Sequence, residues 1–465
     1  MKPYKLFIGI VLLFCIGTSL DVGDVGAVDW PLKMSTSGKY LVDQSGTPFV
    51  IIGDTAWSLA GQLGPTDVVT YLDDRQAKGF NAIEVNAIEH YFSTNAPNNY
   101  NNDPPFTNGP ADWSVRNEAY WGHIDYIIQE AKNRGILVLL YPAYLGFACG
   151  DQGWCVQMQS QTNAAMTNYG QWLGNRYKNH GNIMWVHGGD ANANSYTNAY
   201  SRVAALANGI KAADPASLHS ASSSRGRSGM DDYDTLLQIN TIYSGGVYVD
   251  TETKREYQRT GAKPVFFYEG IYEGEGAGPL ENQSQALIPL LGGSLVGALF
   301  GNNPIWNFCA GGLWCNGSAW IASLDSPGSI SMSNIGKLIR SRRWYNLVPD
   351  YDNTVVTSAK GAGMNYNATA REKTGETVMV WCPTTAQVTV NMTKISGTQA
   401  SAWWWDPDDN SSALIGAYPT TGTMNFTPSS ARKVLVIDDA SKGLPTPGSG
   451  RKETPPLAPT GLRIM

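Results

Sequence analysis

Between Phe49 and Trp344 the chain alternates short, wholly apolar runs with longer amphipathic segments, and no other feature narrows its possible folds as far. Apolar runs this short, bounded by glycine or polar residues, read as strands buried on both faces, as in a parallel sheet. They are Phe49–Gly53, Asn81–Val85, Ile136–Tyr141, Ile183–Val186, the weaker Leu218–Ser220 and Ile239–Tyr243, then Val265–Tyr268 and Val296–Phe300. The segments between them carry helical periodicity: Thr66–Lys78 puts Val68, Val69 and Leu72 on one face, and Glu118–Arg134 does so with Ile124, Ile127 and Ile128. Further helices are predicted over Gln161–Tyr177, Tyr196–Ala213, Thr251–Thr260, Ser284–Leu291 and Ile330–Trp344. Eight strands alternating with helices predict an α/β fold of the closed (β/α)8 barrel type rather than an open doubly wound sheet. No Gly-x-Gly-x-x-Gly follows a strand and there is no phosphate loop, so nucleotide-binding folds have no local support.

After Pro349 the helical period stops. Short alternating runs follow at Asn353–Thr357, Thr377–Trp381, Gln387–Asn391, Ser401–Trp405 and Lys433–Ile437, separated by turn residues, which is the pattern of a small all-β sandwich. The barrel is therefore expected over residues 28–345 and the sandwich over 346–440, with 441–465 as a disordered Pro/Gly-rich tail. Trp403, Trp404 and Trp405 alternate between faces of one strand, so they read as core and interdomain packing rather than a flat sugar platform. The direct connection from Arg342-Arg343-Trp344-Tyr345 into Pro349 predicts a rigid seam between the two domains.

Two strands end in acids: Ile183-Met184-Trp185-Val186-His187-Gly188-Gly189-Asp190 and Val265-Phe266-Phe267-Tyr268-Glu269. The C-terminal ends of barrel strands are where such folds carry their chemistry. Asp190 and Glu269 end strands four and seven, so they are expected to face each other across the barrel mouth. A facing pair of carboxylates is the apparatus of glycoside hydrolysis, with Asp190 as acid/base and Glu269 as nucleophile. Tyr243, after strand six, is expected to hydrogen-bond Glu269. Asp54 and Trp57 (after strand one), Asn86 and Glu89 (strand two), His187 (strand four), His219 (strand five) and Trp306 (strand eight) are expected to line a polar, aromatic-floored pocket. Glu273 and Glu275, in the loop after strand seven, rank second to Glu269.

Net charge is −6 and only 15% of residues are charged, which argues against nucleic acid or an anionic membrane as partner. Cys149/Cys155 and Cys309/Cys315 close two glycine-bearing loops of equal length and read as local disulfides in an oxidising compartment. A zinc site would want tighter spacing and supporting histidines, of which the chain has only five, so no metal or other cofactor is expected. Cys382 stands alone and reads as a small buried residue. Residues 1–27 read as a signal peptide: Lys2 and Lys5, the apolar Leu6–Ile16, and the small-residue pattern Val25-Gly26-Ala27. The apolar stretch is too short to span a bilayer comfortably, so no transmembrane segment is expected. Phe14 before Cys15 disfavours a lipoprotein anchor, and a secreted or periplasmic location follows.

Five motifs in order carry a resemblance: Gly53-Asp54-Thr55-Ala56-Trp57, Gly79-Phe80-Asn81, Ala119-Tyr120-Trp121, Trp185-Val186-His187-Gly188-Gly189-Asp190 and Tyr268-Glu269-Gly270. Together they resemble the apiosidase-like barrels, glycoside hydrolase family 140 and its relatives. Residues from about Arg343 to Asp438 resemble the collagen-binding-type sandwich that follows that barrel. The resemblance implies hydrolysis of apiose- or arabinose-type sugars on pectic or related polysaccharide, with Asp190 and Glu269 as the catalytic pair. A non-catalytic carbohydrate-binding or adhesion protein on the same scaffold is the alternative. Esterase or protease chemistry has no support, as neither Gly-x-Ser-x-Gly nor His-Glu-x-x-His occurs.

Overall fold

The computed structural model describes residues 28–245, 248–309, 315 and 319–450. The predicted signal peptide with Cys15, and residues 451–465 of the predicted tail, lie outside the described residues. The eight predicted barrel strands form as β1 (Ile51–Thr55), β2 (Ala82–Asn86), β3 (Leu137–Tyr141), β4 (Ile183–Gly188), β5 (Leu218–Ser222), β6 (Asn240–Tyr243), β7 (Val265–Glu269) and β8 (Gly297–Phe300). They lie in the order β5-β4-β3-β2-β1-β8-β7-β6, and the short strand Arg227–Ser228 pairs antiparallel with β6. No strand ladder joins β5 to β6. Closure there rests on single bonds instead: the Gln238 N–H donates to the His219 carbonyl (2.9 Å) and Ser220 Oγ to the Ile239 carbonyl (2.9 Å). These are the two runs that were weakest in the sequence.

Strand alternation divides the core. Ile51, Ala82, Leu137, Leu139, Met184, Val186, Phe266 and Leu299 fill the barrel interior, where Leu32 and, from an N-terminal three-stranded sheet, Leu41 and Phe49 join them. The odd-phase neighbours Ile83, Val85, Val138 and Trp185 point outward onto helices Glu118–Asn133, Asn163–Tyr177 and Ala199–Ala213. Each such buried aliphatic side chain contributes about 1.5–3 kcal/mol. The helices start where local chemistry dictates. The Asn117 side chain caps Glu118–Asn133, Thr162 caps Asn163–Tyr177, and Pro65 occupies the first turn of Pro65–Ala77.

The C-terminal region is antiparallel throughout. A six-stranded sheet runs in the order Leu347–Pro349, Thr369–Glu372, Thr377–Cys382, Lys433–Asp439, Gln399–Trp405, Ser412–Pro419, and Val388–Asn391 pairs with Thr423–Phe426 as a second sheet. Val378, Val380 and Leu435 face the small sheet, whereas Met379, Trp381 and Val434 face barrel helices Pro279–Leu291 and Pro327–Arg340. The large sheet is thus covered on both sides. Trp405 lies in the seam with the barrel and Trp404 packs on the opposite face, as strand alternation requires.

Polar bonds cross the same seam. Trp381 Nε1 donates to Ser284 Oγ (3.0 Å), Asn334 Nδ2 to the Pro407 carbonyl (3.0 Å), and buried Arg342 pairs with buried Asp438. The predicted strand Asn353–Thr357 is instead a loop wound around the Asp350 carboxylate, which accepts the N–H groups of Thr354, Val355 and Val356. The start of the predicted disordered tail is packed. Pro447 and Gly448 are buried, and their carbonyls accept from Ser412 Oγ (2.9 Å) and Asn410 Nδ2 (3.2 Å).

Candidate active site

A cavity of about 580 Å³ opens at the C-terminal ends of the barrel strands. It brings together Asp190, Glu269, Trp57, Asn86, Tyr243 and Trp306 of the sequence-predicted set. Asp190 enters it through a backbone device. Gly188 (φ 84°) and Gly189 (φ 150°) turn the chain off β4, and a Cβ at Gly188 would come within 2.4 Å of the Ser222 carbonyl oxygen. The two glycines are therefore needed by the protein's own packing. Glu269 ends β7, and a register shift between Ile242 and Tyr243 places Tyr243 directly opposite it.

The carboxylates sit among aromatic side chains. Trp57 Nε1 donates to the Tyr272 hydroxyl (2.8 Å), which donates in turn to Glu269 Oε1 (3.0 Å). Trp306 Nε1 and Asn303 Nδ2 both donate to Glu275 Oε1 (2.7 and 2.8 Å), so Glu275 lines the cavity as an anchored group. Glu273 is taken out of the cavity by bonds from Asn302 Nδ2, Ser326 Oγ and the Gly328 N–H. Burial and the charge of Asp190 push Glu269 up to about 8, against the Tyr272 hydrogen bond, which favours its ionised form. Burial also raises Asp190, with Arg225 opposing. The hydroxyl that bonds Glu269 is thus that of Tyr272 rather than the expected Tyr243, and the Glu269 charge raises Tyr243 strongly.

Four predicted pocket residues are elsewhere, for identifiable reasons. Asp54 and His187 lie on the odd phase of their strands and point out toward the helices. Asp54 is buried against Arg75 (3.0 Å) and the Tyr71 hydroxyl (2.9 Å) of Pro65–Ala77. His187 Nε2 bonds His219 Nδ1 (2.8 Å), and His219 Nε2 meets Ser217 Oγ (3.0 Å). Burial lowers His187 to about 3, so the pair is neutral and structural. Glu89 faces its own loop, accepting from Ser58 Oγ (2.7 Å) and the N–H groups of His90, Tyr91 and Phe92.

Sequence reasoning missed Tyr144, Phe147, Gln152, Arg225 and Tyr272. Tyr272 stands three residues after Glu269 and was within reach of the motif. The others come from loops with no periodic signal. Both predicted disulfides form, with Cα–Cα distances of 5.1 Å for Cys149–Cys155 and 4.9 Å for Cys309–Cys315. Cys382 is free and buried. Among the described residues no group of His, Cys, Asp or Glu is arranged to hold a metal ion, and no helix is long and apolar enough to cross a membrane.

Below the cavity, the alternation that points Ala82 and Asn86 inward does the same for Glu84, which is wholly buried. Its charged form would face burial and Glu269, with only the Tyr268 hydroxyl to favour it, so its carboxyl lies well above the usual range. Burial and the neighbouring Glu269 therefore favour the neutral form of Glu84. Glu84→Gln copies that shape and should leave thermal stability and the pH–rate profile close to wild type. Glu84→Ala opens a cavity and should cost about 2–5 kcal/mol in denaturant titration. A marked acid shift of the rate profile in Glu84→Gln would mean that an ionised Glu84 had been acting on Glu269.

The fold has close counterparts among solved structures. One described as a glycoside hydrolase superposes with a TM-score of 0.78 at 24% identity, covering 89% of this chain and 98% of its own. A family 5 glycoside hydrolase from Bacteroides vulgatus superposes with a TM-score of 0.79 at 23% identity, covering 90% and 95%. A search of curated proteins gives no match. Residues 348–438 match the family described as "Putative collagen-binding domain of a collagenase". Residues 35–346, with the acid-bearing strand ends in the middle, match the family described as "Apiosidase-like, catalytic domain". The chain thus belongs to the apiosidase-like catalytic-domain family and is a glycoside hydrolase.

Proposed function

We propose that the protein is an exported, exo-acting, retaining glycosidase that releases an apiose- or arabinose-type sugar from pectic or related polysaccharide. The observation that carries this reading is the shared cavity of Asp190 and Glu269, walled by Trp57, Tyr243, Tyr272 and Trp306. A few polar groups set among aromatic faces suit a hydroxyl-rich ring, and a cavity of this size suits the end of a glycan chain. The two disulfides support export, since such bonds persist in oxidising compartments.

In the first step Asp190 gives its proton to the glycosidic oxygen while Glu269 attacks the anomeric carbon, and the bond to the leaving sugar breaks. In the second, Asp190 takes a proton from water, the resulting hydroxide attacks the anomeric carbon, and Glu269 leaves as carboxylate. The Tyr272 hydroxyl fixes one Glu269 oxygen and leaves the other for bond formation. The first step starts from one proton shared by the two acids, and the second from an ionised Asp190 beside the glycosylated Glu269. Because burial and mutual repulsion hold that proton up to about pH 8, activity should follow a bell with its basic limb near that pH. Rates measured from pH 4 to 10 check this, and a profile flat through pH 9 would contradict it.

The reading is tested by incubating the purified protein with pectic and arabinose-containing polysaccharides and identifying released sugars, with the anomer formed first followed by NMR. Release of single sugars with retained configuration is expected. Binding without release would make the protein a carbohydrate-binding barrel.

A further inference from the structure

The aromatic side chains around the cavity are mostly buried: Trp57 and Trp306 are 7% exposed and Tyr272 is 8% exposed. Phe147 lines the same cavity yet is 61% exposed. A bare phenyl ring at a cavity mouth is unfavourable in water, and the backbone holds this one there. Ala148 (φ 50°) and Cys149 (φ 59°) both lie in the left-handed region that side-chain-bearing residues seldom adopt. The Cys149–Cys155 disulfide closes the loop, and its two arms touch backbone to backbone, so that a Cβ at Gly153 would lie 2.2 Å from the Gly146 nitrogen.

The loop is bonded to the segment that carries Asp190. The Leu145 N–H donates to the Gly188 carbonyl (3.0 Å), and the Ala148 N–H donates to the Asp190 carbonyl (2.8 Å). The backbones that carry Phe147 and the acid are thus tied to each other. Gln152, on the far arm of the same loop, adds an amide to that wall.

Chemistry then says which part of a substrate lies there. The acid must face the bridging oxygen, so the leaving sugar extends past Asp190, while the sugar being attacked lies over Glu269 and its Tyr272–Trp57 support. We propose that Phe147 and Gln152 form the subsite for the leaving-group sugar, Phe147 stacking on its C–H face and Gln152 bonding its hydroxyls. This rests on the glycosidase reading above, with Asp190 as acid. The disulfide loop then selects what the released sugar was attached to.

The test compares two substrates that share the released sugar. One is a short pectic oligosaccharide ending in that sugar, and the other is the corresponding glycosyl fluoride, whose leaving group is too small to touch Phe147. Phe147→Ala should lower kcat/KM on the oligosaccharide about 10- to 100-fold, the range expected for losing one large apolar contact, and on the fluoride no more than about twofold. Phe147→Trp should restore most of the loss, whereas Phe147→Leu, which keeps bulk but no flat face, should not. Opening the loop with Cys149→Ala/Cys155→Ala should reproduce the selective loss. Equal losses on both substrates, or full rescue by Phe147→Leu, would overturn the subsite. If the wild-type enzyme cleaves neither substrate, the glycosidase reading itself fails, and the two failures are distinguishable.

Discussion

Glu269→Ala should lose about 10⁴-fold or more in kcat/KM while folding normally, because in the proposed mechanism it removes the group that forms the bond to the sugar. Asp190→Ala should lose about 10²–10⁴-fold on a natural sugar leaving group and much less on an activated one that departs without a proton. The contrast assigns the roles. Azide should rescue both variants, giving a product of retained configuration with Asp190→Ala and of inverted configuration with Glu269→Ala. Stability should move the other way. The folded state holds the Glu269 carboxyl at about 8, above its ordinary value of 4.5, so its stabilising effect is complete below about pH 4.5 and is lost as the pH rises through 8. Glu269→Gln removes that loss and should raise the melting temperature more at pH 8 than at pH 5. If Glu269→Ala kept activity within tenfold of wild type, Glu275, the other acid in the cavity, would become the candidate nucleophile.

The second large effect is expected far from the cavity. Arg342 is 1% exposed and forks onto Asp438, Nε to Oδ1 at 3.0 Å and Nη2 to Oδ2 at 2.6 Å. Arg342 follows the last barrel helix and Asp438 lies on the central strand of the large sheet, so the pair joins the two domains. Arg342→Ala leaves a buried carboxylate without its cation and should cost about 3–5 kcal/mol in denaturant titration. A double change to apolar residues of similar volume should recover much of this, because the isolated charge rather than the missing bond dominates the cost. A loss below about 1 kcal/mol in the single variant would mean that the seam does not depend on this pair. The same seam also holds the Trp381–Ser284 hydrogen bond and the buried Trp405 ring.

The barrel was legible in the sequence because its strands are buried on both faces, so apolar runs such as Ile183–Val186 and Val265–Tyr268 stood out without any alternation to decode. The acids were legible for the same reason, each ending such a run. Phase was less legible. Asp54 and His187 look like mouth residues until strand alternation is followed, which sends them out to Arg75 and His219. Asp190 keeps the inward phase of Met184 and Val186, whereas Glu269, on the phase of outward-facing Phe267, escapes the rule where the β6–β7 register shifts at Ile242/Tyr243. The sandwich strands Ser412–Pro419 and Thr423–Phe426 were missed because they are largely exposed, and Ser412–Pro419 shows no alternation of apolar and polar types. Phe147, Gln152 and Arg225 reach the cavity from loops whose paths depend on a disulfide and on close glycine contacts such as Arg225 against Gly245. Residue periodicity holds no information about such paths.

The central claim is that Glu269 forms a covalent bond to the sugar that is released. It is tested most directly by treating the enzyme with a 2-fluoro glycosyl fluoride of that sugar, which slows the second step, and mapping the labelled peptide by mass spectrometry. The account expects one label per chain, on Glu269, that forms in wild type, is abolished in Glu269→Gln and turns over slowly in water. A label on Glu275 or Asp190, or no label alongside a product of inverted configuration, would contradict it.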